Sequence, residues 1–181
     1  MRHCPYLFVV LAVVSTTFLG LSPATAGELE LIETRKIWDQ APHNAFTDLI
    51  RFNDQWFCVF REGQGHVSPD GAIRVLTSED GETWTSAAKL TSDTSDLRDA
   101  KVSITPDGRL MLIAAGALHD TDPVRHQTYV WFSDDGHEWS EPQPIGDPNF
   151  WLWRVGWHND TAYGVGYATG KDAPRLTRLY R

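Results

Sequence analysis

Residues 76–90, "LTSEDGETWTSAAKL", and residues 131–145, "WFSDDGHEWSEPQPI", spell one short pattern twice. Each contains Ser-x-Asp-Gly-x-x-Trp, as Ser78, Asp80, Gly81 and Trp84 and again as Ser133, Asp135, Gly136 and Trp139. The two tryptophans stand 55 residues apart. An Asp carboxylate can accept turn amides, Gly tolerates a positive φ, and Trp brings a large ring for packing. Those are the needs of a tight connection between strands, and none of them calls for a substrate.

Working outward, the same succession of runs surrounds each turn. The first unit reads "FTDLIRF", turn "ND", "QWFCVF", loop "REGQGHVSPDG", "AIRVLT", the repeated turn, then "TSAAKL". The second reads "AKVSI", turn "TPDG", "RLMLIAA", loop "GALHDTDPVRHQ", "TYVWF", the repeated turn, then "SEPQPI". A third follows as "WLWRVGW", turn "HND", "TAYGVGY", loop "ATGKDAP" and "RLTRLY". The runs are rich in aromatic and β-branched residues, are bounded by Gly, Asp, Asn and Pro, and show no helical period. Four antiparallel strands recurring about every 50 residues describe a propeller blade. A β-sandwich also uses short strands, but it does not require the same turn at the same place in each unit. The expected fold is therefore all-β, a partial β-propeller of three four-stranded antiparallel blades over 43–92, 96–147 and an incomplete 150–181. A closed ring needs about four to eight blades. The chain is accordingly expected to be a piece of a larger propeller, with the missing blades as its partner and self-association into a ring as the alternative.

The first residues stand apart from this pattern. Arg2 precedes an apolar stretch from Tyr6 to Leu21, and Ala24-Thr25-Ala26 has the small-x-small form of a cleavage site. Ser15, Thr16, Thr17 and Gly20 interrupt the stretch, which favours a cleaved signal peptide over residues 1–26 rather than a membrane anchor. The expectation is a secreted or periplasmic domain over 27–181. Of the 181 residues, 16 are basic and 24 acidic, a net charge of −8. Nucleic acid and anionic membrane are thus excluded as partners by overall repulsion. Cys4 falls in the leader, leaving Cys58 with no disulfide partner; in "WFCVF" it alternates with Trp56 and Phe60 as a buried strand residue.

The repeated turn resembles the Asp-box, or BNR repeat, of the sialidase (neuraminidase) superfamily. The likeness implies a six-bladed propeller in which the boxes join the third and fourth strands of a blade, the position reached above by counting strands. The boxes have one residue fewer between Ser and Gly than the fullest form, and Glu138 stands where Thr83 keeps the usual Thr. In the family, an early Arg-Ile-Pro supplies one arginine of a carboxylate-gripping triad; this chain has "HNAFTDLIRF" there instead. The resemblance offers Arg61 as the second triad arginine and Asp70 as the acid/base, though Pro-Asp-Gly is also an ordinary turn. It places the tyrosine nucleophile and its glutamate in later blades.

Strand polarity divides the chemistry. If the first strand of each blade starts at the top, both hairpin turns, boxes included, lie at the bottom. The second-to-third loops and the connections between blades lie at the top. Loops supply Arg61, Glu62, His66, Asp70, His119, Asp120, Asp122, Lys171 and Asp172; connections supply His43, Asn44, Arg98, Asp99, Trp151, Trp153 and Arg154. Tryptophan faces stack on sugar rings, arginines pair with carboxylates, and acids can drive glycosidic cleavage. Glu62, Asp70 and Asp99 are the catalytic candidates, and Arg61, Arg98, Arg154, Trp151, Trp153, His119 and Asp120 the substrate-binding ones. An arginine beside Glu62 (Arg61) and beside Asp99 (Arg98) is expected to keep each ionised. The Arg98-Asp99 pair has a second reading, as a fastener between blades. No histidine has a metal-ligand spacing such as His-Glu-x-x-His, although His119 and His126 with Asp120 and Asp122 share one loop. No cofactor and no metal are expected. The expected function is an exported glycoside hydrolase acting on a carbohydrate or glycoconjugate; the alternative is a non-catalytic propeller that binds carbohydrate or protein.

Overall fold

In the computed structural model, the structure describes residues 29–170 and 172–181. The expected signal peptide and Lys171 lie outside them. The chain divides into two compact units, Met1–Thr34 and Arg35–Arg181. Of the first, residues 29–34 carry no regular secondary structure.

The second unit contains eleven strands and, among the described residues, no helix. Sheet 1 joins β1 (His43–Phe52), β2 (Gln55–Gly63), β3 (Ala72–Ser78) and β4 (Thr85–Leu90) in that order. Sheet 2 joins β5 (Ser95–Ile104), β6 (Leu110–Leu118), β7 (His126–Ser133) and the short β8 (Gln143–Ile145). Sheet 3 joins β9 (Phe150–His158), β10 (Thr161–Ala168) and β11 (Thr177–Tyr180). Every pairing is antiparallel. This is the all-β, blade-by-blade architecture that the spacing of the turns predicts.

The turns take the backbone shapes their residues allow. Asn53-Asp54 and Asn159-Asp160 both have positive φ at two successive positions, the geometry that matches the twist of a two-residue hairpin. The cores lie between sheets. Phe57 and Val59 of β2 meet Leu110, Leu112 and Ala114 of β6, together with Leu97 and Trp131. On the far face of sheet 1, Cys58, Phe60 and Leu76 are covered by Ile37, Trp38 and Trp84. Burial pushes the Cys58 thiol up to about 11, so it packs as an inert small hydrophobe.

Candidate functional site

The two repeated turns bond almost identically. The Asp80 carboxylate accepts the N–H groups of Glu82 and Thr83, both at 2.8 Å, and the Ser78 hydroxyl at 3.0 Å. Asp135 accepts those of His137 and Glu138 at 2.8 and 2.9 Å and the Ser133 hydroxyl at 3.2 Å. Each serine oxygen accepts the amide of the turn glycine, and each Trp indole donates to that glycine's carbonyl. Both glycines have positive φ, 74° at Gly81 and 80° at Gly136. The backbone amides hold both carboxyls below their usual range. The Ser, Asp and Trp side chains of each turn all bond within it, which makes it a connector.

At the opposite end of the sheets the first strands are irregular, all at one level. β1 is bulged between Ala45 and Asp48, β5 between Arg98 and Lys101, and β9 at Trp153. Phe46 and Asp99 sit in the bulges of β1 and β5 with φ of 62° and 53°, a region that costs a non-glycine residue energy. Bulges break the alternation of side chains and re-aim them, and they gather where a site is built. Asp48 ties the three first strands together. It accepts the Val102 amide of β5 at 3.1 Å and one Arg154 nitrogen of β9, at 2.9 and 2.8 Å to its two oxygens.

Asp99 stands at the centre of this end, only 9% exposed. Burial pushes its carboxyl above the usual range; Lys101, Trp151, Arg98 and His66 pull the other way and are outweighed. Arg98 favours the ionised form of Asp99, as expected, but does not offset its burial. The Arg98 guanidinium is turned to Asp96, which it meets at 2.7 and 2.6 Å, leaving burial dominant at Asp99. The Trp151 indole acts on the Asp99 carboxylate, yet its buried Nε1–H meets no acceptor in hydrogen-bonding geometry. His126 packs against Trp151 at 5.2 Å, and its Nδ1 is likewise buried and unpartnered. Burial, aided by Arg125 and Arg98, lowers His126, so its ring is neutral at pH 7. His43 Nε2 is a third such atom, on a ring 5.3 Å from His66. Tyr167 is raised by its own burial and by the charge of Asp99. Half-exposed Trp153 lies 6.0 Å from the Lys101 ammonium.

The other sequence candidates are distributed differently. Arg61, expected to grip a ligand, is fully buried. It donates to Asp96 at 2.9 Å, to the Gly65 carbonyl at 2.7 Å and to Ser68, so its fork is occupied. Asp96 thereby bridges Arg61 and Arg98, fastening sheet 1 to sheet 2. Gly71 is required there, because a Cβ would lie 1.7 Å from Asp96 Oδ1. Glu62 points to the other face of β2. Burial would raise it, but Arg74 and Lys89 bond to it and hold it below the usual range. Arg61 is not the cation that keeps it ionised. Asp70 accepts the Gln64 amide and, with Glu62 and Lys89, lines a separate hollow of about 150 Å³. The ring nitrogens of exposed His119 face the carbonyls of Pro69 and Asp93, and Asp120 accepts the Asp122 amide. Neither belongs to the Asp99 cluster. Among the described residues, no group of three His, Cys, Asp or Glu side chains is placed to hold a metal.

Sequence reasoning missed Asp48 and Tyr167, and it passed over Lys101 as a neighbour of Asp99. The available signal was the register of the three first strands, since His43 to Asp48, Ser95 to Lys101 and Phe150 to Arg154 fall at one level.

No family model matches the chain, and no curated protein matches it either. Solved structures do. One, described as a protein of unknown function from Dyadobacter fermentans, aligns at TM-score 0.59 and 19% identity over 76% of this chain and 50% of its own. Another, a Bombyx mori GH32 beta-fructofuranosidase variant in complex with sucrose, aligns at 0.53 and 13% over 75% of this chain and 32% of its own. The chain thus spans between a third and a half of the structures it matches. At these identities the likeness shows the fold alone: an all-β, propeller-like array of antiparallel sheets.

Proposed function

We propose that the chain belongs to an exported, carbohydrate-acting propeller protein, a glycoside hydrolase of the sialidase-like kind, that holds a sugar against the bulged ends of β1, β5 and β9. The observation that carries the reading is Asp99. It is a buried carboxyl with a raised pKa, on a left-handed bulge residue, beside an indole N–H that has no partner. A carboxyl made harder to ionise can carry a proton to a leaving oxygen, the role of an acid in glycosidic cleavage. Buried polar atoms without partners are rare, and the unpartnered atoms of Trp151, His126 and His43 are suited to sugar hydroxyls. Trp153 offers an indole face for a ring. The two Ser-x-Asp-Gly-x-x-Trp turns support the sialidase-like assignment, and the neighbour solved with sucrose supports a sugar ligand. Residues 1–26, read as a signal peptide, support export.

A second reading, a propeller that binds carbohydrate without cleaving it, is favoured by one observation. Glu62 and Asp70 line a different hollow, so neither of the other two candidate acids joins Asp99. A panel of chromogenic glycosides tests both readings on the complete protein. Hydrolysis of at least one glycoside, lost in Asp99→Asn and retained in Glu62→Gln, supports the enzyme. Sugar binding with flat rates across the panel moves the reading to the binding module. Neither binding nor turnover overturns both.

A further inference from the structure

Phe46 sits in the β1 bulge with φ of 62°, a backbone shape that costs a bulky residue energy. Its ring enters none of the three apolar cores. It meets the His66 ring edge-on at 5.2 Å, and His43 meets the same ring at 5.3 Å. A second observation concerns the backbone that carries His66. The loop from Gln64 to Asp70 is held by fully buried Arg61, which donates to the Gly65 carbonyl at 2.7 Å and to the Ser68 hydroxyl at 3.0 Å. Asp70 closes the loop by accepting the Gln64 amide at 3.0 Å. His66 and Val67, at the tip, are exposed. Both ring nitrogens of His119 face carbonyls, whereas those of His66 meet no hydrogen-bond partner among the described residues. His66 also lies near enough for its charge to act on the Asp99 carboxyl. An exposed imidazole fixed through both its backbone and its ring, with its nitrogens unused, is prepared for a ligand.

We propose that His66 is a further ligand-contacting residue of the bulged end, hydrogen-bonded to a sugar hydroxyl beside the bond that Asp99 addresses, and that Phe46 is the positioning residue that aims it. A neutral imidazole pairs one donor with one acceptor, a match for a hydroxyl, which is both. A bulge re-aims a side chain out of the strand's alternation, so the strain at Phe46 is carried for the aim of His66. The inference rests on the reading of Asp99 as a sugar site and adds the group that selects among sugars.

The test compares Phe46→Gly, Phe46→Ala, His66→Ala, His66→Gln and the double variant Phe46→Gly/His66→Ala in the complete protein. Two readouts need no ligand. Glycine removes both ring and strain, alanine the ring alone, so Phe46→Gly should melt about 2–4 °C above Phe46→Ala. In both, the NMR signals of the His66 ring protons, identified by their loss in His66→Gln, should move. Equal melting, or His66 signals that stay in place, overturns the positioning role whatever the sugar does. On a chromogenic glycoside that the wild type hydrolyses, His66→Ala and both Phe46 variants should lower kcat/KM about tenfold. His66→Gln should recover part of that loss, and the double variant should be no worse than His66→Ala alone. Full activity of His66→Ala, or losses that add in the double variant, overturns the proposal while an inactive Asp99→Asn still upholds the site reading. Where rates are flat, the hydrolase reading fails and dissociation constants of the same glycosides are compared in the same way. Neither binding nor turnover overturns the ligand role of His66 together with the site reading, and melting and NMR then decide Phe46 alone.

Discussion

The two ends of the same three sheets are built on opposite terms. At the hairpin end, Asp80 and Asp135 satisfy their turns so completely that serine, glycine and indole all find partners within seven residues. Positive φ there falls on glycine or on Asn and Asp, residues that adopt it readily. At the bulged end, positive φ falls on Phe46 as well as on Asp99, a strain for the phenylalanine, and Trp151, His126 and His43 keep buried polar atoms without partners. Strain and unmet hydrogen bonding are costs that a fold has no reason to carry unless something else meets them. The contrast teaches that repetition in this chain marks scaffold, and that departures from repetition mark the site.

The comparison sharpens first at its one exception. Arg61–Asp96–Arg98 is scaffold at the bulged end, and Arg61 is fully buried. Asp96→Ala strands that guanidinium and should cost about 3–5 kcal/mol in urea unfolding. An effect below about 1 kcal/mol would break the distinction between this pair and the site beside it.

At the hairpin end the two glycines should separate. Gly136→Ala meets both a positive φ and the Phe57 ring at 2.2 Å, whereas a Cβ at Gly81 has nothing nearer than 3.7 Å. The first should cost about 2–3 kcal/mol and the second about 1 kcal/mol by thermal melts. Equal costs would mean that the second turn does not pack on sheet 1.

A smaller effect of opposite sign is expected at Asp99. Its folded pKa lies above its unfolded one, so the folded state holds the proton more tightly and stability falls as pH rises through that interval. Asp99→Asn removes the charge and should raise Tm by about 2–4 °C at pH 7, while abolishing ligand binding. A lowered Tm would make Asp99 a structural residue. The smallest effect belongs to Asp80 and Asp135, whose depressed pKa values contribute stability that is lost as pH falls below the ordinary carboxylate range. Asp135→Asn should flatten the acid limb of the melting curve; an unchanged limb would contradict the bonding described.

The sheets were legible because their signals are local. Alternation and turn chemistry act over a few residues, and "SEDGETW" and "SDDGHEW" declare their own bonds. The site was legible only as a level in the fold. Arg61 could have been read as buried, since "QWFCVFREG" places it on the face of Phe57 and Val59 and puts Glu62 with Cys58 and Phe60. The bond from Arg61 to Asp96, and the tie from Asp48 to Arg154, join residues that only the packing of sheets brings together. No pattern of spacing announces a bulge, and the bulges are what set Asp99 in place.

Hydrogen–deuterium exchange with and without a saturating oligosaccharide, on the complete protein, tests the division between the two ends most directly. Protection should appear in residues 43–48, 95–101 and 150–154 and leave 78–84 and 133–139 unchanged. Protection confined to the two Ser-x-Asp-Gly-x-x-Trp turns would contradict it.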